Sequence, residues 1–324
     1  HAYLVALGAV FFGEARFKTT GKVPEEVLWL LGEGGARAYA AMPVAAAEAN
    51  ESRAFKDAGT YVMRAGDAYL LFNASGAGLK GRGSHGHNDA LSFEVAACGA
   101  VFVRDPGTYV YTRDFAERHL FRSTAYHSTV EVDGAEQNTT DPRAPFRICD
   151  EARPRVLKWE SDEARDFVVA EHGGYARASL RRAGGVTHRR SVLFDKREGV
   201  WLVEDELAGE GEHTFRFVFH LAPGTDARVR SETGVEVCDR ITGARLFIES
   251  HIESDGARAR PTLEPRWSSR EYGEKTRSQA ACWTVRARAP LVARWALVPV
   301  GAGEGVEERL KDFGFRISDF GLFE

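Results

Sequence analysis

The chain contains no apolar run long enough to cross a membrane. Its four cysteines, Cys98, Cys149, Cys238 and Cys282, form no C-x-x-C pair. That argues against a cysteine-held zinc site, and four cysteines allow two disulfides without indicating any. Methionine is scarce, with 2 in 324 residues, while arginine is abundant, a bias that points to base composition more than to function. Net charge is small: 43 Lys and Arg against 47 Asp and Glu give a formal −4. No basic field marks a nucleic-acid partner. There is no repeat and no low-complexity tract. The glycine-rich stretch around Gly76-Ala77-Gly78 lacks the Lys-Ser/Thr of a phosphate loop, so it reads as a flexible segment leading toward the histidines after Gly83. The start, His1-Ala2-Tyr3-Leu4, has no signal-peptide layout and no initiator Met. It resembles the middle of a helix, so the chain reads as a piece of something longer.

The chemistry-bearing residues concentrate between Gly81 and His127. Four of the ten histidines lie there, His85, His87, His119 and His127, with Asp105 in an Asp-Pro-Gly turn. Histidine is the commonest metal ligand and the usual general base near neutral pH. Two histidines with one glycine between them, then Asp, then a later His, can supply a three-ligand metal site and leave one imidazole free. The alternation from Ala90 to Ala96 predicts a strand, Cys98-Gly99 a tight turn, and Ala100 to Arg104 the returning strand. That hairpin places His87, before its first strand, near Asp105, after its second. His127 precedes a further predicted strand, Ser128 to Val132, which can reach the same sheet end. His119, in a charged segment, reads as a surface residue.

Along the chain, His1 to Phe12 is apolar and predicts the buried end of a helix. Val23 to Leu31 predicts a second, opened by Pro24 and Glu25-Glu26 and ended by Gly32. Ala36 to Asn50, with Pro43 inside, reads as a linker. From Phe55 the period changes to two. Thr60 to Arg64 and Tyr69 to Asn73 predict a hairpin about Gly66-Asp67. Strands follow at Arg155 to Trp159, Phe167 to Glu171, His188 to Phe194, Val200 to Glu206 and Thr214 to Leu221, with Lys196 to Gly199 as a hairpin loop. Later strands are Arg245 to Ser250, Ala281 to Ala287, Val292 to Val298 and Phe313 to Ile317. Short strands without interleaved helices indicate a mainly β chain, a large antiparallel sandwich over 51–324 preceded by a mainly helical 1–50.

Other polar residues have ordinary readings. Asp205 in Val203-Glu204-Asp205-Glu206 reads as part of a solvated edge, since neighbouring strand residues face opposite ways. His213 and His220 read as packing or surface residues. Arg181-Arg182 and Arg189-Arg190 read as solvated hairpin charges. Tyr109, Tyr111 and Tyr126 flank the histidine stretch and can stack on a sugar. Arg113, Arg118 and Arg122 follow in a polar segment from Arg113 to Thr124, and arginine grips carboxylate or sulfate in a bidentate way.

Three runs together resemble the heparinase II/III-like polysaccharide lyases, including related alginate lyases. They are Gly83-Ser84-His85-Gly86-His87-Asn88-Asp89-Ala90-Leu91-Ser92-Phe93-Glu94, then Asp105-Pro106-Gly107-Thr108-Tyr109, then Phe121 to Val130 with Asp133-Gly134. The resemblance is densest from Gly81 to Gly134 and fades after about residue 200. Asn88 stands where the family often has a small residue, and His127-Ser128-Thr129 replaces the commoner His-Asn-Thr. The resemblance implies an α/α toroid, here mostly absent and represented by residues 1–50, followed by the β-sandwich domain. It implies one structural zinc held by His87, Asp105 and His127, with His85 as a catalytic histidine facing the toroid cleft. The candidate substrate contacts are Arg82, Asn88, Tyr109, Tyr111 and Arg122. The family's catalytic Tyr and its carboxylate-neutralising Asn or His map to no residue of this chain, so the chain alone is expected to be inactive.

The implied reaction is β-elimination on an acidic, uronate-containing polysaccharide such as a glycosaminoglycan or alginate. The implied location is the periplasm or the outside of a bacterium, with a homo-oligomer allowed and neither nucleic acid nor a membrane span expected. Two other readings fit the residues: a non-catalytic carbohydrate-binding sandwich that keeps a zinc, and a metal-dependent hydrolase or oxygenase with His87, Asp105 and His127 as an open catalytic site.

Overall fold

Alanine-rich and leucine-rich sequence at the start forms helices, and the alternating sequence after it forms sheets. The computed structural model describes residues 2–45, 51–78, 83–178, 185–253, 259–306 and 309. The chain divides into two compact units, 1–51 and 52–324.

The first unit holds α1 (Ala2–Phe12) and α2 (Glu25–Ala41). Ala6, Ala9, Val27 and Tyr39 form its small core. The predicted stop at Gly32 is there as a break: Gly32 takes φ 67°, ψ −170°, a conformation closed to side-chain-bearing residues. Helix then resumes to Ala41, so the linker expected from Ala36 begins only after it. Alanine is the best helix former, and the run Ala36-Arg37-Ala38-Tyr39-Ala40-Ala41 carries the helix on. The buried Lys18 ammonium supports its end, donating to the carbonyls of Tyr39 at 2.8 Å, Ala40 at 3.1 Å and Met42 at 2.6 Å.

The second unit begins with a five-stranded sheet in chain order: β1 (Arg53–Phe55), β2 (Thr60–Ala65), β3 (Ala68–Asn73), β4 (Phe93–Ala97) and β5 (Ala100–Val103). Cys98 and Gly99 both take positive φ, as a two-residue hairpin turn requires. A four-stranded sheet comprises β6 (Val130–Val132), β11 (Glu212–His220), β15 (Pro261–Ser268) and β16 (Thr276–Arg288), ordered β15-β16-β11-β6. An eight-stranded sheet takes β7 (Arg155–Ser161), β8 (Arg165–His172), β9 (Thr187–Asp195), β10 (Val200–Ala208), β12 (Thr225–Val229), β13 (Gly234–Asp239), β14 (Arg245–Glu253) and β17 (Leu291–Val300). Its order is β12-β13-β14-β17-β10-β9-β8-β7. Every pairing is antiparallel, as expected of the sandwich. The strand expected over 313–317 lies outside the described residues.

Aromatic rings join the sheets. Trp295 of β17 meets Phe217 and Phe219 of β11 at 5.1 and 5.0 Å and Trp283 of β16 at 4.9 Å, and Phe219 reaches Phe93 of β4 at 5.8 Å. Edge-to-face contacts of this kind add to the area they bury. Two expectations fail here. Asp205 is fully buried, not on a solvated edge. Arg190 is buried too, while Arg189 keeps the expected partly exposed place in ion pairs with Glu171 and Glu206. The two arginines alternate across β9, so only one meets solvent. The polar segment 113–124 contains a short helix, α3 (Phe115–Phe121), capped by Asp114 accepting from the Glu117 N–H at 3.1 Å.

Candidate metal and substrate site

Three loops from two sheets meet. The first, between β3 and β4, carries His85, His87 and Asp89. It closes on a turn in which Ser92 N–H donates to the Asp89 carbonyl at 3.0 Å and Leu91 takes φ 59°. This turn delays β4 to Phe93, three residues after the expected start. The second loop follows β5 and carries Asp105, whose Oδ1 accepts from Gly107 N–H at 2.9 Å. Gly107 has φ 80°, and a Cβ there would collide with the Ser269 carbonyl, so the turn demands glycine. The third carries His127 just before β6.

His87, Asp105 and His127 offer one ligand atom each, all within 4.8 Å of one another. His127 Nδ1 and Asp105 Oδ2 are 2.7 Å apart, and the His87 and His127 rings are 5.2 Å apart. Burial works against the charge on Asp105, yet the His127 and His87 imidazoles and the Gly107 N–H outweigh it and hold the carboxyl below its usual range. Burial also lowers His127, but Asp105 overrides it and raises the imidazole. His87 is pushed down to about 3, first by burial and then by His127.

The donor set fits zinc: two imidazoles and one carboxylate converge on one point. His127 Nε2, on the ring edge turned away from Asp105, is buried with no hydrogen-bond partner among the described residues. His87 Nε2 meets a different cation, the Arg118 Nη1, at 2.8 Å.

His85 stands beside this cluster and outside it. It is exposed, makes no hydrogen bond among the described residues, and touches the rings of Tyr111 at 5.4 Å and Phe146 at 5.8 Å. It lines an open cleft of about 560 Å³ together with Asp57, Ser75, His87, Asp89 and Thr108. Asp89 is raised, chiefly by burial.

The other candidate contacts divide. Tyr111 sets its ring against His85, Phe146 and the exposed Tyr272 at 5.4, 5.4 and 5.5 Å. Tyr109 packs elsewhere, against Phe121 at 5.3 Å and below the Lys275 ammonium at 4.7 Å. Asn88 is fully buried: its Nδ2 donates to Glu136 at 2.6 Å and to the Asn138 carbonyl at 3.0 Å, and its Oδ1 accepts from Asn138 at 3.0 Å. Arg122 is fully buried as well, its guanidinium on the Pro145 carbonyl at 2.8 Å and the Ala144 carbonyl at 3.3 Å. Neither side chain reaches the cleft surface. Arg82 lies outside the described residues. Phe146 beside His85 and Tyr272 beside Tyr111 carry no sequence signal, since each comes from a distant loop. His119, expected at the surface, is half-buried, its Nδ1 facing the Arg122 guanidinium at 3.0 Å.

The fold and the site together define a heparinase-like β-sandwich. Residues 47–298 match the heparinase II/III-like C-terminal domain, well over half of the chain, and the chain belongs to that family. The structure resembles the heparan sulfate lyase HepC from Pedobacter heparinus, with a TM-score of 0.70 and 21% identity, over 94% of this chain and 42% of that one. It resembles heparinase III with a TM-score of 0.67 and 18% identity, over 92% of this chain and 42% of that one. The chain thus spans less than half the length of these solved structures. A sequence search of curated proteins gave no match.

Proposed function

We propose that this chain is the β-sandwich part of a polysaccharide lyase that cleaves an acidic, uronate-containing polysaccharide by β-elimination. The observation that carries this is the separation of His85 from the triad: an exposed imidazole at a cleft, two residues from a buried cluster of metal-type donors. In the reaction a base takes the C5 proton of the uronate, the electrons form the C4–C5 double bond, and the 4-linked sugar leaves with a proton from a general acid. The C5 proton is weakly acidic until the neighbouring carboxylate charge is neutralised. His85 serves as the base or as the neutralising donor, with an imidazole suited to either near neutral pH. Tyr111 supplies an aromatic face beside it.

His87, Asp105 and His127 would hold one zinc. Bound there, it ties the three loops together and fixes the backbone that carries His85. The role is structural, since the His127 side of the triad is closed to solvent. The helical unit 1–51 would be the end of a toroid that supplies the remaining catalytic groups. Family membership favours a periplasmic or secreted bacterial enzyme, and among the described residues no helix is long and apolar enough to cross a membrane.

The test is an assay of the full-length parent on a panel of uronate polymers, following unsaturated products by ultraviolet absorbance. Elimination on one of them supports the reading. Binding of a uronate oligomer without elimination would favour the carbohydrate-binding alternative.

A further inference from the structure

Arg190 is 1% exposed and lies on β9 directly across from Asp205 on β10. Its Nε donates to Asp205 Oδ1 at 2.7 Å and its Nη2 to Asp205 Oδ2 at 3.0 Å. The same carboxylate accepts from His188 Nε2 at 2.7 Å and from Trp295 Nε1 at 3.0 Å. A buried ion pair adds little net stability over apolar residues of similar size, because both charges lose their water. Stability alone therefore does not account for this pair.

The remaining nitrogen gives it a second role. Arg190 Nη1 donates to the Leu91 carbonyl at 2.7 Å and to the Ser128 carbonyl at 2.8 Å. Leu91 ends the loop that carries His85 and His87, in a left-handed conformation that leucine rarely adopts unaided. Ser128 directly follows His127. One nitrogen thus spans the loop of one candidate ligand and the segment of another. The third segment is tied to the same point: Ser128 Oγ accepts from His220 N–H at 3.0 Å, and the His220 carbonyl accepts from Arg104 N–H, next to Asp105, at 3.0 Å.

We propose that the Arg190–Asp205 pair is a positioning device for the His87–Asp105–His127 cluster. It sets the spacing of the ligand-bearing loops through their backbone, and so sets the affinity for a divalent cation without touching one. The inference rests on reading the cluster as a metal site. Asp205 fixes the guanidinium plane through two hydrogen bonds along its Nε–Nη2 edge, and Arg190 transmits that orientation to both loops through Nη1.

The test uses Zn²⁺ and Co²⁺ alone with the whole chain. Zn²⁺ affinity is measured by competition with a chelator, and the Co²⁺ visible spectrum reports coordination geometry. Arg190→Lys and Asp205→Asn should each weaken Zn²⁺ binding by about 10–100-fold, the usual loss when ligand-orienting partners are removed, and should alter the Co²⁺ spectrum. Arg294→Lys is the control. Arg294 pairs with Glu204 at 2.7 Å, one residue from Asp205 and so on the other face of the sheet. It should lower the melting temperature and leave affinity and spectrum unchanged. Variants that melt earlier but bind Zn²⁺ like the unaltered chain would overturn the proposal. So would failure of both variants to fold, which would make the pair a folding requirement. An unaltered chain that binds neither metal would instead overturn the metal-site reading beneath it.

Discussion

Arg118 Nη1 lies 2.8 Å from His87 Nε2, and a neutral imidazole has a single lone pair. With that lone pair accepting from Arg118, the other ring nitrogen carries the proton, and His87 has nothing left to offer a metal. A bound cation must therefore break this contact. Arg118 is fully buried and its Nη2 has no hydrogen-bond partner among the described residues, so the guanidinium is only partly anchored. Arg118→Met should tighten Zn²⁺ binding by up to about tenfold, the equivalent of one displaced hydrogen bond to a charged group. Calorimetric titration checks this. Weaker binding in the variant would mean that Arg118 orients His87 in the metal-bound state.

Much of this site is legible in the sequence, because local patterns place strand ends. Cys98-Gly99 forms the turn that returns β4 to β5, and that hairpin brings the His87 loop to Asp105. Other features carry a weaker signal. Asp114 with Glu117 three residues on is a helix-start signature, yet the run reads as merely polar. The hairpin loop Lys196–Gly199 pairs Asp195 with Val200, and stepping five residues back along each strand sets Arg190 across from Asp205. The rest depends on long-range contacts that no local pattern encodes. Asn88 is buried by Glu136 and Asn138, about fifty residues away in sequence. Strand β15 contains Pro261 and Pro265, which hide it from any strand pattern and suit it to a sheet edge.

Acid should destabilise this protein in two stages. His172 Nδ1 accepts from Gly174 N–H at 3.2 Å, so its Nε2–H points to His188 Nδ1 at 3.3 Å, and His188 Nε2–H donates to Asp205 at 2.7 Å. Both rings are neutral in this chain, and burial holds both below the ordinary histidine value. The unfolded state then binds more protons below about pH 6.5, and stability falls as pH drops from there. Asp205 is favoured as the charged form: burial would raise it, but Arg190 and His188 outweigh burial and lower it. Its contribution is present above about pH 4 and is lost below. This chain of groups should make urea midpoints drop below about pH 6.5 and drop again below about pH 4. His172→Gln should shrink the first drop. A midpoint unchanged down to about pH 5 would contradict the neutral-histidine chain.

The helical unit exposes large apolar side chains: Trp29 at 82%, Phe11 at 76%, Phe12 at 69% and Leu30 at 67%. Patches of this kind drive association when nothing covers them. The weight-average mass of the isolated chain from light scattering should rise with protein concentration, and Trp29→Lys should reduce that rise. A chain that stays monomeric at every concentration would show that these side chains do not form a continuous sticky face.

His85 and His87 are two residues apart, yet their substitutions should fail differently. His87 is half-buried within the triad, so His87→Ala should remove bound metal, lower the melting temperature and lower activity together. His85 belongs to no ligand set, is exposed at the cleft and makes only ring contacts with Tyr111 and Phe146. In the full-length protein, His85→Ala should leave zinc content and melting temperature nearly unchanged. Its eliminase rate should fall by about 10²–10⁴-fold, the usual loss for one general acid or base. If the histidine is the base, the loss sits in kcat, because proton transfer is felt in the transition state. If it neutralises the uronate carboxylate, KM rises as well, because that contact also holds the ground state. Elemental analysis, a melting curve and a kcat against KM comparison on the same preparation separate these outcomes. Loss of zinc in His85→Ala would place this residue among the ligands and end its catalytic assignment.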